Sequence, residues 1–98
     1  MITHVVLFKF PARADAERAR ALLLGMRGRV ASLRAIEAGL DVTGSPRSYD
    51  LALITRFDDD AGLDAYRTDP LHLEVLEFIR ARVETTCAVD YVDDGAPS

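Results

Sequence analysis

The chain has 98 residues, of which 49% are apolar and 29% charged, and these values are typical of a single globular domain with a modest core. Its longest apolar runs fall far short of the ~20 residues that span a membrane, so we expect no membrane insertion. The net charge of −4 argues against a nucleic-acid partner, because the arginines of residues 13 to 34 flank an apolar stripe without interleaved aromatic residues.

The start of the chain and its single cysteine argue against a secreted protein stabilised by disulfides. The first residues have the pattern of a strand and lack the charged, apolar and small-residue regions of a signal peptide. We therefore predict a cytoplasmic location. Cys87 has no second cysteine with which to form an internal disulfide, and its small neighbours predict a packed side chain and not a nucleophile.

A two-faced strand is predicted at residues 2 to 10, because apolar side chains occur on both alternating sets of positions. His4 and Phe8 point to one side of this strand. Val5 and Leu7 point to the other side. Such a strand is expected to be covered on both faces.

A long helix is predicted from about Asp15 to Leu33, because apolar residues recur there every three or four positions. Gly25 and Gly28 lie inside it, and each costs roughly 1 kcal/mol relative to alanine. The fold either tolerates these glycines or uses them for a close approach. The predicted buried stripe consists of Ala19, Leu23, Met26, Val30 and Leu33.

Three further strands are predicted, at residues 36 to 44, 49 to 57 and 85 to 93. The turn signal GSPRS separates the first two, and the apolar content of the second predicts a more central position. We assign one domain to residues 1 to 93 and a disordered tail to residues 94 to 98. The predicted buried side of the first of these strands is formed by Ile36, Ala38, Leu40 and Val42.

Two helix starts are predicted between the last two strands. Three consecutive acids at residues 58 to 60 complement the N-terminal end of a helix dipole. Asp69 can cap a second helix, whose first position suits Pro70 because the missing amide hydrogen is not needed there. At about 100° per residue, His72 lies on the apolar stripe of this second helix. That stripe also contains Leu76, Ile79 and Val83.

The order of these elements, β-α-β-β-α-β, predicts an α+β fold of the ferredoxin-like class. In this fold a four-stranded antiparallel sheet carries its helices on one face, and the first and last strands are neighbours. The other face is uncovered, and Val5, Leu7 and Val89 would lie on it. An apolar surface of this extent predicts a partner.

Four polar side chains are expected on or near the helix-facing side of the sheet: His4, His72, Asp90 and Tyr66. An unpaired buried polar group costs roughly 1 to 3 kcal/mol, so a buried imidazole needs a partner or a ligand. In a catalytic interpretation, His72 transfers protons, Asp90 orients its ring and Tyr66 donates to a developing oxyanion. In the alternative interpretation, His72 is a satisfied core histidine, Asp90 is an exposed strand residue and Tyr66 fills a helix end.

A pocket between helices and sheet is expected to be lined by His4 and by apolar residues on the same faces. The sequence contains no Gly-rich phosphate loop and no CxxC, HExxH or GxSxG element, so nucleotide binding, structural zinc and serine hydrolysis have no support, and no cofactor is expected. Two histidines and a carboxylate could hold non-haem iron, but no closely spaced ligand pair supports this, so we predict no metal. The predicted apolar lining consists of Phe8, Leu23, Met26 and Leu76.

Four segments, taken together, have a characteristic order and spacing: HVVLFKF at residues 4 to 10, YDLALITRF at 49 to 57, DAYRTDPLHLEVL at 64 to 76 and VDYV at 89 to 92. With them the sequence resembles the stress-responsive dimeric A/B barrel (Dabb) family over nearly its whole length. The resemblance implies a ferredoxin-like protomer whose sheet packs against that of a second copy. The homodimer implied in this way agrees with the two-faced first strand.

The chain also resembles one branch of that family, the olivetolic acid cyclase-type polyketide cyclases, which perform an intramolecular aldol condensation without a metal. The resemblance implies catalytic roles for Tyr66 and His72, with Pro70 two residues before the histidine. It further implies that Asp90 orients His72 and that His4 belongs to the pocket. The segment LEVLEF after His72 departs from the glycine-containing segment of those cyclases, which affects the shape of the pocket.

Three functions are compatible with the sequence. The chain is an acid/base enzyme acting on a small apolar or polyketide-like molecule, a non-catalytic binder of such a molecule, or a stress-linked structural dimer with a filled core. Cofactor-free oxygenation is a further alternative, since antibiotic-biosynthesis monooxygenases have a similar dimeric barrel. An open cavity that reaches His72 separates the first two functions from the third.

Overall fold

A computed structural model of the chain describes residues 1 to 93, so the tail predicted at residues 94 to 98 lies outside the described residues. The strands are β1 Ile2–Lys9, β2 Ala35–Leu40, β3 Leu51–Phe57 and β4 Thr85–Val92. The helices are α1 Arg13–Leu24, α2 Asp60–Arg67 and α3 Pro70–Arg80.

The four strands form one antiparallel sheet in the order β2-β3-β1-β4. This order confirms the predicted ferredoxin-like α+β fold, including the adjacency of the first and last strands. The core lies between one face of the sheet and the helices, where Phe57, Leu23 and Leu51 are almost completely buried. In the described part of the chain, no helix has the length and apolar character needed to cross a membrane.

The first helix is shorter than predicted, because α1 ends at Leu24 and residues 25 to 33 form turns. From Met26 onwards, the backbone hydrogen bonds in these turns run to the third preceding residue. Gly28 has a φ of +75°, in the left-handed region that an α-helix does not use. The predicted apolar stripe is nevertheless buried beyond the helix end, at Met26 and Val30.

The strand β2 ends before Val42, whose predicted buried position is wrong. Val42 is 98% exposed. The carboxylate of Asp41 accepts hydrogen bonds from the backbone amides of Thr43 and Gly44, at 3.2 and 2.6 Å, and Gly44 has a φ of +66°. This turn takes the chain out of the sheet, so the alternating pattern does not continue to Val42.

The second face of the sheet carries apolar side chains without a covering layer in the single chain. Val89 is 55% exposed and Tyr91 47% exposed, while Val5 and Leu7 are half-buried. Cys87 is also exposed on β4, so its predicted packed position is wrong for the single chain. The reason is that no helix covers this face, as the ferredoxin-like topology requires.

The predicted cap of α3 is confirmed. The carboxylate of Asp69 accepts hydrogen bonds from the amides of Leu71 and His72, at 2.9 and 3.4 Å, and Pro70 occupies the start of the helix. Two of the amides that lack a partner inside the helix are thereby satisfied. The same cap places the His72 ring at a defined position on α3.

Removal of this cap is expected to destabilise the protein. Asp69→Ala should lower the free energy of unfolding by about 1 kcal/mol, because the two amides lose their acceptor. Asp69→Asn should stay close to wild type, since asparagine caps helices about as well. Urea unfolding of both variants measures the difference, and equal stability of wild type and Asp69→Ala would contradict the capping role.

Candidate active site

A cavity of about 300 Å³ lies between the sheet and α3, and its size falls at the lower end of the range of ligand pockets. The filled-core alternative predicts side chains in this space, and the cavity therefore argues against it. Six of the eight predicted site residues line the cavity: His4, Phe8, Leu23, Tyr66, His72 and Leu76.

Two predicted site residues do not line the cavity. Met26 is fully buried in the core after the end of α1 and is not one of the residues that line the cavity. Asp90 contacts the cavity histidine His4 from β4 and lines a separate surface groove. Asp90 therefore affects the cavity only through its contact with His4.

Tyr66 has a buried hydroxyl without a hydrogen-bond partner among residues 1 to 93. The residue is 1% exposed, and its ring packs against Phe57 and His72, at centroid distances of 5.0 and 4.0 Å. Burial raises the pKa of Tyr66, so the phenol stays protonated and able to donate. A buried donor without a partner costs roughly 1 to 3 kcal/mol, and a ligand oxygen could remove that cost.

His72 is half-buried at the third position of α3. Its Nδ1 lies 3.4 Å from the carbonyl oxygen of Arg67, and since a carbonyl only accepts, this contact favours the tautomer with the proton on Nδ1. The Nε2 atom then carries a free lone pair. Such a nitrogen is a suitable proton acceptor.

The protonation of His72 is set mainly by its surroundings. Burial lowers the pKa of His72, the Arg67 carbonyl raises it, and nearby charges have smaller effects in both directions. The net direction is downward from the ordinary value of 6.5. His72 is therefore neutral at pH 7, in the form that accepts a proton.

Asp90 pairs with His4, not with His72 as predicted. The two residues lie directly opposite each other in the β1–β4 register, and Nδ1 of His4 contacts Oδ1 of Asp90. The other carboxylate oxygen lies 3.4 Å from the guanidinium of Arg67, which also donates to Asp64 at 2.9 Å. Directly opposed side chains on adjacent strands are within reach of one another, so Asp90 orients His4.

Some site residues escaped the sequence analysis. Arg80 and Thr86 also line the cavity, and Arg67 holds Asp90 from the end of α2. The signal for Arg80 was its place beside the stripe residue Ile79. Contacts between residues far apart in the sequence, such as that of Arg67 with Asp90, have no local sequence signal.

A non-haem iron site would require two histidines and a carboxylate to lie close together. Within residues 1 to 93, no three histidine, cysteine, aspartate or glutamate side chains are grouped in a way that could hold a metal ion. The absence of a metal requirement stays a prediction.

Solved structures with the same fold include proteins of several kinds. A dimeric ferredoxin-like protein of unknown function from Bacteroides fragilis is 24% identical, with a TM-score of 0.82, over 92% of this chain and 93% of its own. A hydroxynitrile lyase from Passiflora edulis is 13% identical, with a TM-score of 0.80, over 98% and 96%. An antibiotic biosynthesis monooxygenase is 18% identical, with a TM-score of 0.75, over 99% and 100%. At these identities the likeness shows the fold alone.

The family of the chain is shown by its sequence. No curated protein matches it in sequence. The model of the stress-responsive A/B barrel domain, however, matches residues 2 to 93, which include the cavity, both histidines and the open sheet face. The chain therefore belongs to the stress-responsive A/B barrel (Dabb) domain family.

Proposed function

We propose that this protein is a cofactor-free acid/base enzyme that binds a small, largely apolar carbonyl compound in the cavity beside α3. One observation carries the proposal: two imidazoles and a buried phenol without a partner line the same mainly apolar cavity. If the cavity bound no ligand, the buried Tyr66 hydroxyl would have no hydrogen-bond acceptor among residues 1 to 93. A carbonyl oxygen is the acceptor that this hydroxyl lacks.

Aldol cyclisation of a polyketide-like chain is the reaction that these groups suit best. The Tyr66 hydroxyl donates to a carbonyl oxygen, and Nε2 of His72 takes a proton from the adjacent carbon, whose C–H electrons move into the enolate. The enolate carbon then attacks a second carbonyl of the same molecule and forms the new C–C bond. The His72 imidazolium returns the proton to the resulting alkoxide.

His4 has a supporting role in this proposal. Asp90 accepts from Nδ1 of His4, which leaves Nε2 as a second acceptor inside the cavity. An enol or hydroxyl of a polyketide-like substrate can donate to that nitrogen. Asp90 is a positioning residue in this scheme, because it reaches the substrate only through His4.

The test of the proposal is a panel of poly-β-ketoacyl thioesters incubated with the purified protein, with products followed by mass spectrometry. Cyclised products that form faster than in buffer are expected. Binding of these compounds without any turnover would replace the proposal by the non-catalytic binding function. Oxygenated products would replace it by the monooxygenase function.

The pH dependence of this turnover is expected to follow the protonation of His72. Burial lowers its pKa, so the acid limb of kcat/KM should lie below the ordinary histidine value of 6.5, and kcat/KM should fall as the pH drops through the lowered pKa. Below that point His72 is protonated and cannot accept a proton. Measurement of kcat/KM from acid to neutral pH gives the profile.

Tyr66→Phe is the matched control for the pH profile, because it should lower activity without moving the acid limb. An acid limb above the ordinary histidine pKa in the wild type would contradict the assignment of His72 as the base.

We also propose a homodimer in which the open sheet face of one protomer packs against that of a second copy. The exposed side chains of β4 and the half-buried Val5 and Leu7 supply an apolar surface for it. A fold neighbour from Bacteroides fragilis is described as dimeric, which supports this arrangement.

A further inference from the structure

The cavity has a second polar end, which the proposed reaction does not use. Arg80 and Thr86 line the cavity together with the apolar Val83. Arg80 follows His72 by eight residues on α3, which corresponds to a rise of about 12 Å along the helix. The cavity therefore has imidazole and phenol groups towards one end and a cation towards the other.

The guanidinium of Arg80 has no carboxylate partner and no hydrogen-bond acceptor within residues 1 to 93. Arg82, two residues further on, instead donates to the Phe78 carbonyl at 3.2 Å and lies 3.8 Å from Asp15. Arg80 is largely exposed to solvent as well as lining the cavity, which places it at the mouth.

Arg80 and His72 line the same cavity, and the charge of Arg80 makes a small contribution to the lowered pKa of His72. A cation beside apolar side chains is stabilised by an anion with which it can form charge-assisted hydrogen bonds. The planar guanidinium matches a carboxylate, and the Thr86 hydroxyl can donate to the same group.

We infer that the ligand of this cavity is an elongated apolar carboxylate, with its carboxylate at Arg80 and Thr86 and its apolar chain along α3. The end that reaches His72 and Tyr66 carries the reactive carbonyl, and this part of the inference rests on the proposed function. The separation of the two ends follows from the helix rise, about 12 Å. Arg80 is thus a specificity-determining residue of the site.

The experiment compares octanoate with octanamide, which has the same chain without the charge, by titration calorimetry on the full-length protein. Octanoate should bind at least about tenfold more tightly, which is the expected gain from hydrogen bonds to a charged group. Arg80→Gln should abolish that preference, and Arg80→Lys should retain part of it. Arg18→Gln removes an equal charge from the exposed side of α1 and should bind octanoate like the wild type.

Equal affinity for octanoate and octanamide in the wild type would overturn the inference, as would undiminished octanoate binding by Arg80→Gln. If Arg80→Gln fails to fold, the wild-type pair and Arg80→Lys still decide the question. The result is separable from the proposed function. A charge preference that depends on Arg80 without turnover supports this inference alone, whereas turnover of neutral ketones that is unaffected by Arg80→Gln supports the proposed function alone.

Discussion

His72→Asn is expected to lower the turnover of an accepted poly-β-ketoacyl thioester by about 10² to 10⁴-fold, the usual contribution of a general base. Asparagine can still donate to the Arg67 carbonyl, as Nδ1 of His72 does, but it has no ring nitrogen to accept a proton. The loss should therefore appear in kcat more than in KM.

Two controls separate chemistry from folding in this experiment. Glu74→Gln changes an exposed residue on the opposite side of α3 and should leave turnover unchanged. Asp90→Asn should cost less than His72→Asn, because Asp90 contacts His4 and acts through it. If His72→Asn folds, as judged by its thermal unfolding, and turns over substrate as fast as wild type, His72 is structural.

Leu7→Asp is expected to dissociate or unfold the proposed dimer. Leu7 lies on the open face of β1, opposite Cys87 of β4 and Ala52 of β3. An aspartate at the centre of a desolvated interface costs several kcal/mol when it has no partner. Light scattering at micromolar concentration should give twice the chain mass of 10.8 kDa for the wild type and a lower value for the variant.

Leu73→Asp provides the matched control for the dimer experiment. Leu73 is 47% exposed on α3, on the helix side of the sheet, so the same change there should leave the mass unchanged. A wild type with the mass of a single chain at micromolar concentration would remove the barrel dimer. A dimeric, folded Leu7→Asp variant would place the interface elsewhere.

The two histidines of the cavity have different hydrogen-bond partners. Both line one cavity, but His4 is oriented by a carboxylate and His72 by a backbone carbonyl. A neutral His72 therefore needs no charged partner to present Nε2. Arg67 connects the two arrangements, since its carbonyl contacts His72 and its guanidinium contacts Asp90.

Local patterns in the sequence were sufficient for most of the fold. Alternating apolar residues predicted β1, and the Asp69-Pro70 pair predicted the start of α3 and the face on which His72 lies. These features depend on side-chain periodicity and on capping within a few residues, so they can be predicted without knowledge of the remaining chain. The order of the elements predicted the ferredoxin-like topology with adjacent first and last strands, and the family resemblance added the packing of two copies sheet against sheet.

Only the tertiary structure decided which partner each polar group takes and which residues reach the cavity. Asp90 and His4 are 86 positions apart, and their contact depends on the register of β1 with β4. Met26 is buried as predicted, but it does not line the cavity, because α1 ends before it. Contacts of this kind arise from the packing of distant elements, and a displacement of one residue or one turn reassigns them.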